Sequence, residues 1–315
     1  MIKDADIAIK SPKRKKLGRE LEGFLFSFAP VLRFLLFGLV PLIVGLAMAF
    51  LTMEYTYDIA DGTFCGFDNF LYVLDPANGF WKAVGNTLLM ALAWPISMAI
   101  ALLVSMLLTK DVKGKPFFRT VYFIPFVCSV VALTLMWNVL LDYNYGPINQ
   151  LIENIFGTRI NFRGDADWYI PGLILMMVWS TTGYKIVILT AALTTVNKTY
   201  YEAASLDGAN AWQTLWKVTI PNVMPSITIC TFLTLTNSFK LFDQNLALTA
   251  GRPFIQNAGE TVKTTEMLAL NIYSSFYAST TNRGVGQAKA VIFFVLVAAI
   301  SILQLSSSRK KEVQQ

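Results

Sequence analysis

The sequence predicts an all-α integral membrane protein with six transmembrane helices, and three observations predict it. First, 55 % of the 315 residues are hydrophobic, 15 % are charged and none is histidine, whereas soluble domains carry about a quarter charged residues. Second, the apolar residues collect in windows free of charge: 34–53, 83–109, 120–141, 218–239 and 290–308. A sixth window, Trp168–Tyr184, is followed by Lys185 and then twelve more uncharged positions. About 20 apolar residues suffice for a helix to cross the hydrocarbon core, and a helix bonds its own backbone groups where no water can. Third, Lys and Arg are lopsided between alternate loops. Sixteen fall on the side of the two termini, seven of them before residue 20, and seven on the opposite side. The positive-inside rule therefore predicts a multi-pass protein with both termini in the cytoplasm. Basicity reports orientation here, not a nucleic-acid surface.

Taken in order, residues 1–29 form a basic cytoplasmic tail with no cleavable signal pattern. A single membrane domain follows over 30–308, with spans at about 30–53, 85–108, 119–141, 168–193, 221–242 and 288–307, and a tail at 309–315. Pro41, Gly45, Pro95 and Pro125 fall inside spans and favour kinks that neighbouring helices re-satisfy. The outer loops carry turn signals at Asp75-Pro76, Tyr145-Gly146-Pro147 and Gly164-Asp165. The cysteines, Cys65, Cys128 and Cys230, are too scattered for a disulfide framework or a metal site.

The inner loop 194–221 is the most structured of the connections. Thr199 with Glu202 three residues later reads as a capping box. Asp207-Gly208 then breaks that helix, and Asn210 with Gln213 reads as a second cap. A short helix with Trp212, Leu215, Trp216 and Val218 on its apolar face precedes Pro221, where the fifth span starts. The expected result is two short helices around a glycine bend, with small Ala203 and Ala204 leaving room for another surface. Glu202 serves either as a capping residue or as a contact.

This stretch resembles the signature loop of ABC importer membrane subunits: Glu202-Ala203-Ala204, then Gly208, Val218, Ile220 and Pro221, with Val218 and Ile220 replacing the usual isoleucine and leucine. The resemblance runs along nearly the whole chain to the carbohydrate permeases of binding-protein-dependent importers, of the maltose-permease type. It is carried also by Gly66-Phe-Asp-Asn-Phe70, Gly85-Asn86-Thr87-Leu88, Arg119-Thr-Val-Tyr-Phe-Ile-Pro125, Tyr145-Gly-Pro-Ile-Asn149, Lys240-Leu-Phe-Asp243 and Leu248-Thr-Ala-Gly-Arg-Pro253. It implies a type I ABC importer architecture in a bacterial or archaeal cytoplasmic membrane. Glu202, Ala203, Ala204, Leu206, Asp207, Gly208 and Pro221 would belong to a coupling helix seated on an ATPase. The partners it implies are a second permease subunit, two copies of a cytoplasmic ATPase and an extracellular solute-binding protein delivering a sugar. ATP and Mg would be bound by the ATPase, with no cofactor on this chain.

Three charges sit at or inside span boundaries. Arg33 is expected to snorkel, and Lys240 to pair with Asp243 at helical spacing. Lys185 lies deep in span four, where a lysine is disfavoured by at least about 2.5 kcal/mol; it either faces a cavity or partner, or snorkels inward. Sugars bind by stacking on aromatic faces and by hydrogen bonds, and transport sites lie near the bilayer midplane. Trp137, Trp179, Tyr184, Lys185 and Asn237 are therefore the candidate substrate path. An ion-coupled secondary transporter is the alternative, disfavoured because the windows contain no Asp or Glu. A membrane enzyme lacks a nucleophile elbow, and ATP hydrolysis lacks a phosphate loop.

Overall fold

A computed structural model describes residues 13–54, 56–110, 113–257, 260–278 and 282–309. The basic tail before residue 13, Asp111-Val112 and the end beyond Arg309 lie outside the described residues. Five helices are long and apolar enough to cross a membrane: Gly23–Met48, Phe80–Thr109, Asp167–Thr195, Ala211–Phe239 and Arg283–Ser306. A sixth candidate is the helix pair Lys115–Val127 and Val130–Leu140, which is long and apolar enough only when its two bent halves are taken together.

The first span is α1 (Lys13–Phe34), a π turn (Leu35–Leu39) and α2 (Val40–Met48). It stops short of the expected Met53, because Leu51–Thr52 (β1) turns to pair with Thr63–Phe64 (β2). The π turn has a physical cause. Pro41 has no N–H, and its ring would clash with the carbonyl four residues earlier; the widened turn just before it relieves that clash. After α3 (Asp68–Leu74), α4 (Phe80–Met90) and α5 (Ala93–Thr109) form the second span, with a short break ahead of Pro95.

The third span departs from expectation. Instead of one helix over 119–141, α6 (Lys115–Val127) and α7 (Val130–Leu140) meet at 99°. Pro125 weakens the last turn of α6, and Cys128 and Ser129 are extended, with ψ of 151° and 128°. Then come α8 (Pro147–Phe156) and α9 (Ala166–Thr195), the spine of the molecule. The apolar window of α9 is 61 % buried, against 6 % for Gly23–Met48.

Small residues let neighbours close on this spine. On α5, Ala93, Ser97, Ala101 and Ser105 recur every four residues and are all fully buried, the spacing that brings membrane helices together. Ser105 donates across to the Ile186 carbonyl at 3.2 Å. On the other flank α6 crosses at Gly183, where a Cβ would lie 1.8 Å from the Tyr122 carbonyl oxygen.

Next follow α10 (Lys198–Leu206), α11 (Ala211–Thr214), a π turn (Leu215–Thr219) and α12 (Ile220–Phe239). This second π turn again ends two residues before a proline, Pro221. The remainder is α13 (Asp243–Leu248), the antiparallel hairpin β3 (Phe254–Asn257) and β4 (Glu260–Lys263), α14 (Leu268–Tyr273), a π turn (Ser274–Ala278) and α15 (Arg283–Arg309). The last helix thus starts before the expected 288.

Four asparagines pin these connections. Asn69 donates to Ala49 and Leu51 carbonyls, Asn86 to those of Thr264 and Glu266, and Asn149 to those of Leu141, Asp142 and Ile160. Asn245 donates to Tyr169 Oη and the Thr265 carbonyl and accepts from Met267 N–H. Buried backbone groups need such partners. Three of the four sit in the sequence motifs noted above, so those motifs hold loops in place.

Candidate functional site

Two places combine sequence signature with unusual geometry. The first is the corner Asn197–Pro221. Its first helix is capped by Asn197, whose side chain accepts from Thr199 N–H at 3.1 Å. That corrects the expected Thr199–Glu202 box: the helix begins earlier, and Glu202 is an exposed mid-helix residue with no part in the cap. The helix ends in a Schellman motif. Ala209 N–H bonds the Ala204 carbonyl at 2.9 Å and Gly208 N–H the Ser205 carbonyl at 3.2 Å, the left-handed bend falling on Gly208 at φ +73°. The second cap is as expected, with reciprocal Asn210–Gln213 bonds of 2.8 and 2.9 Å. The helix it opens is not separate, however. It runs through the π turn into α12, so Pro221 lies inside one helix, Ala211–Phe239.

The corner presents an unusual surface. Leu206 is 89 % exposed, and Trp212 and Trp216 stack edge to face at 5.6 Å while 67 % and 53 % exposed. Asp207 and Ala203 are exposed too, but Ala204 is turned inward and buried. Only Ala203 therefore leaves the room that both alanines were expected to leave.

The second place is a cavity of about 280 Å³ in the elbow of the broken span. Pro125, Phe126 and Cys128 form one wall, Ser180 and Thr181 of α9 another, and Asn237, Lys240 and Gln244 a third. The cavity lies at the 99° bend, with Val130 and Leu133 of α7 also on its wall.

Of the sequence-derived candidates, Asn237 lines the cavity and the other four do not. Trp137 is buried in the core beside half-exposed Trp179, edge to face at 5.8 Å. Tyr184 is buried, its hydroxyl sharing a hydrogen bond with Thr234 at 2.9 Å, and its ring contacts Phe126 at 4.9 Å. Lys185 is fully buried and does not snorkel. Its ammonium donates to Ser97 Oγ at 2.5 Å and Thr181 Oγ1 at 3.2 Å. Both hydroxyls donate hydrogen bonds to backbone carbonyls, Ser97 to Ala93 and Thr181 to Met177. Thr181 thus stands between Lys185 and the cavity. Arg33 is exposed. The expected Lys240–Asp243 pair is not formed among the described residues; Lys240 faces the cavity instead.

Sequence reasoning missed Ser180, Thr181 and Gln244. A run of three hydroxyl residues, Ser180-Thr181-Thr182, in the middle of an apolar span was the signal that could have found the first two.

Comparison with known proteins agrees with this architecture. Residues 95–313 match the family model described as "Binding-protein-dependent transport system inner membrane component". The chain is 33 % identical over 293 residues to the probable starch degradation products transport system permease protein of Thermoanaerobacterium thermosulfurigenes, covering 92 % of this chain and 95 % of that one. It is 27 % identical to the multiple sugar-binding transport system permease protein of Streptococcus mutans serotype c, covering 95 % and 99 %. Its fold is similar to that of a chain in the crystal structure of a bacterial ABC transporter involved in the import of the acidic polysaccharide alginate, with TM-score 0.75, 22 % identity and coverage of 94 % and 98 %. This chain, a multi-pass membrane protein with the type I importer fold, belongs to the family of inner membrane components of binding-protein-dependent transport systems.

Proposed function

We propose that the chain is one of two permease subunits of an ATP-driven importer in a bacterial or archaeal cytoplasmic membrane, that its cargo is a saccharide, and that both termini face the cytoplasm. The observation that carries the reading is the pairing of an exposed, rigidly capped corner with a largely apolar cavity that presents a few polar side chains, both anchored on α12. The saccharide reading is supported by the curated relatives, whose names refer to starch degradation products and multiple sugars.

In this reading an extracellular binding protein delivers the sugar to the cavity, where Asn237, Gln244, Ser180 and Thr181 offer hydrogen bonds and Phe126 an apolar face. Two ATPase subunits bind ATP and Mg and grip this chain and its sister at Glu202, Ala203, Leu206, Asp207 and Gly208. Because α11, the π turn and α12 form one continuous helix, a displacement of the corner reaches Asn237 without an intervening hinge loop. The chain itself catalyses no reaction.

The test is labelled-saccharide uptake into proteoliposomes holding the assembled transporter. Uptake that needs the binding protein and stops when the ATPase is inactivated supports the reading. Uptake that persists without ATP hydrolysis and follows an ion gradient would replace it with a secondary transporter.

A further inference from the structure

The charge around the cavity is one-sided. Among the described residues lining it, Lys240 is the charged one, and there is no Asp or Glu. Lys240 ends α12, its backbone N–H on the Thr236 carbonyl and its side chain exposed to the cavity. One layer behind the opposite wall lies Lys185, fully buried and donating to the hydroxyl of Thr181, which lines the cavity. Among the described residues no carboxylate lies within ion-pair distance of either ammonium. Ionised groups at membrane depth are normally paired or lie on a substrate path, and a buried charge left without a partner is costly. Here two ammoniums flank one small volume whose other polar groups are neutral.

We propose that the cavity takes a saccharide bearing carboxylate groups. Lys240 makes the direct contact, and Lys185 acts as a positioning residue. Its N–H occupies a lone pair of Thr181, holding that hydroxyl in place, and its charge adds to the positive field at the cavity wall. Asn237 and Gln244 then serve the sugar hydroxyls and take no part in selecting charge. The proposal rests on the reading of the cavity as the saccharide path.

The test is equilibrium dialysis of the purified assembly against trimers of galacturonate, mannuronate and glucuronate. Each is paired with its methyl ester, which keeps the rings and removes the charge, and maltotriose is the neutral reference. At least one acid should bind about tenfold or more tightly than its ester, the range for a hydrogen bond to a charged group. Lys240→Gln should bring that ratio near one by weakening the acid far more than the ester, and Lys185→Met should lower it partway. Asn237→Leu should weaken acid and ester alike. Equal binding of acids and esters, preference for maltotriose, or a preference that survives Lys240→Gln overturns the proposal. In those cases a loss caused by Asn237→Leu would leave the saccharide path standing. If Asn237→Leu and Lys240→Gln both leave every affinity untouched, or none of these sugars binds, the saccharide path falls and the proposal with it.

Discussion

The corner is one contiguous stretch, Asn197–Pro221, whereas the cavity is drawn from α6, α7, α9, α12 and α13, between Pro125 and Gln244. Each geometric feature of the corner is local. A cap is set by a side chain reaching two or three residues ahead, and a bend by one glycine. The cavity depends on a 99° break whose consequence is felt only once α6 has docked on α9. A contiguous device can be changed one turn at a time, while a cavity made by long-range packing changes as a whole. Substitutions that disturb one region and spare the other should therefore separate the two.

The largest effect is expected at Gly183. Any side chain there meets the Tyr122 carbonyl, so Gly183→Val should unseat α6, at a cost of about 3 kcal/mol by comparison with overpacked cores. The melting temperature of the detergent-solubilised protein should fall, and the cavity should be lost with the corner helix intact. A variant as stable as the parent would show that α6 does not need this approach.

Gly208→Val ranks second. A β-branched residue at φ +73° is strained by about 1–2 kcal/mol, which should tilt or fray the corner. Co-purification of the ATPase should drop while saccharide binding to the cavity is retained. Asn210→Ala should remove the reciprocal cap, worth about 1 kcal/mol, and lower ATPase co-purification less than Gly208→Val does.

Glu202→Gln should alter stability least, because the side chain has no part in either cap. It thus reads charge alone. Loss of ATPase assembly with an unchanged melting temperature would assign the contact to the carboxylate; full assembly would assign it to the shape set by Gly208.

How far the sequence reached follows the same division. Asn210–Gln213 and Gly208 were legible because their partners are three or four residues away. The first cap was misplaced by two residues because Asn197 and Thr199 are both good capping residues, and only the backbone decides between them. Span three was misread for another reason. Its charge-free window is long enough for a straight helix, and proline alone does not separate a kink from a break. Lys185 was visible as an anomaly, but its burial against Ser97 depends on the small-residue face of α5, a tertiary fact. Lys240 was misassigned because its spacing to Asp243 suits a helix, whereas α12 ends between them.

Cys128 offers the most direct measurement of the central claim, that the elbow cavity is the saccharide path. Its thiol is free, exposed and lines the cavity, while Cys230 is buried. With Cys65 replaced by serine, the assembled transporter is treated with a small water-soluble thiol reagent, and labelling and uptake are followed together. The account predicts that a transported saccharide slows labelling of Cys128 and that the labelled transporter no longer takes up sugar. Full uptake after complete labelling of Cys128 would contradict it.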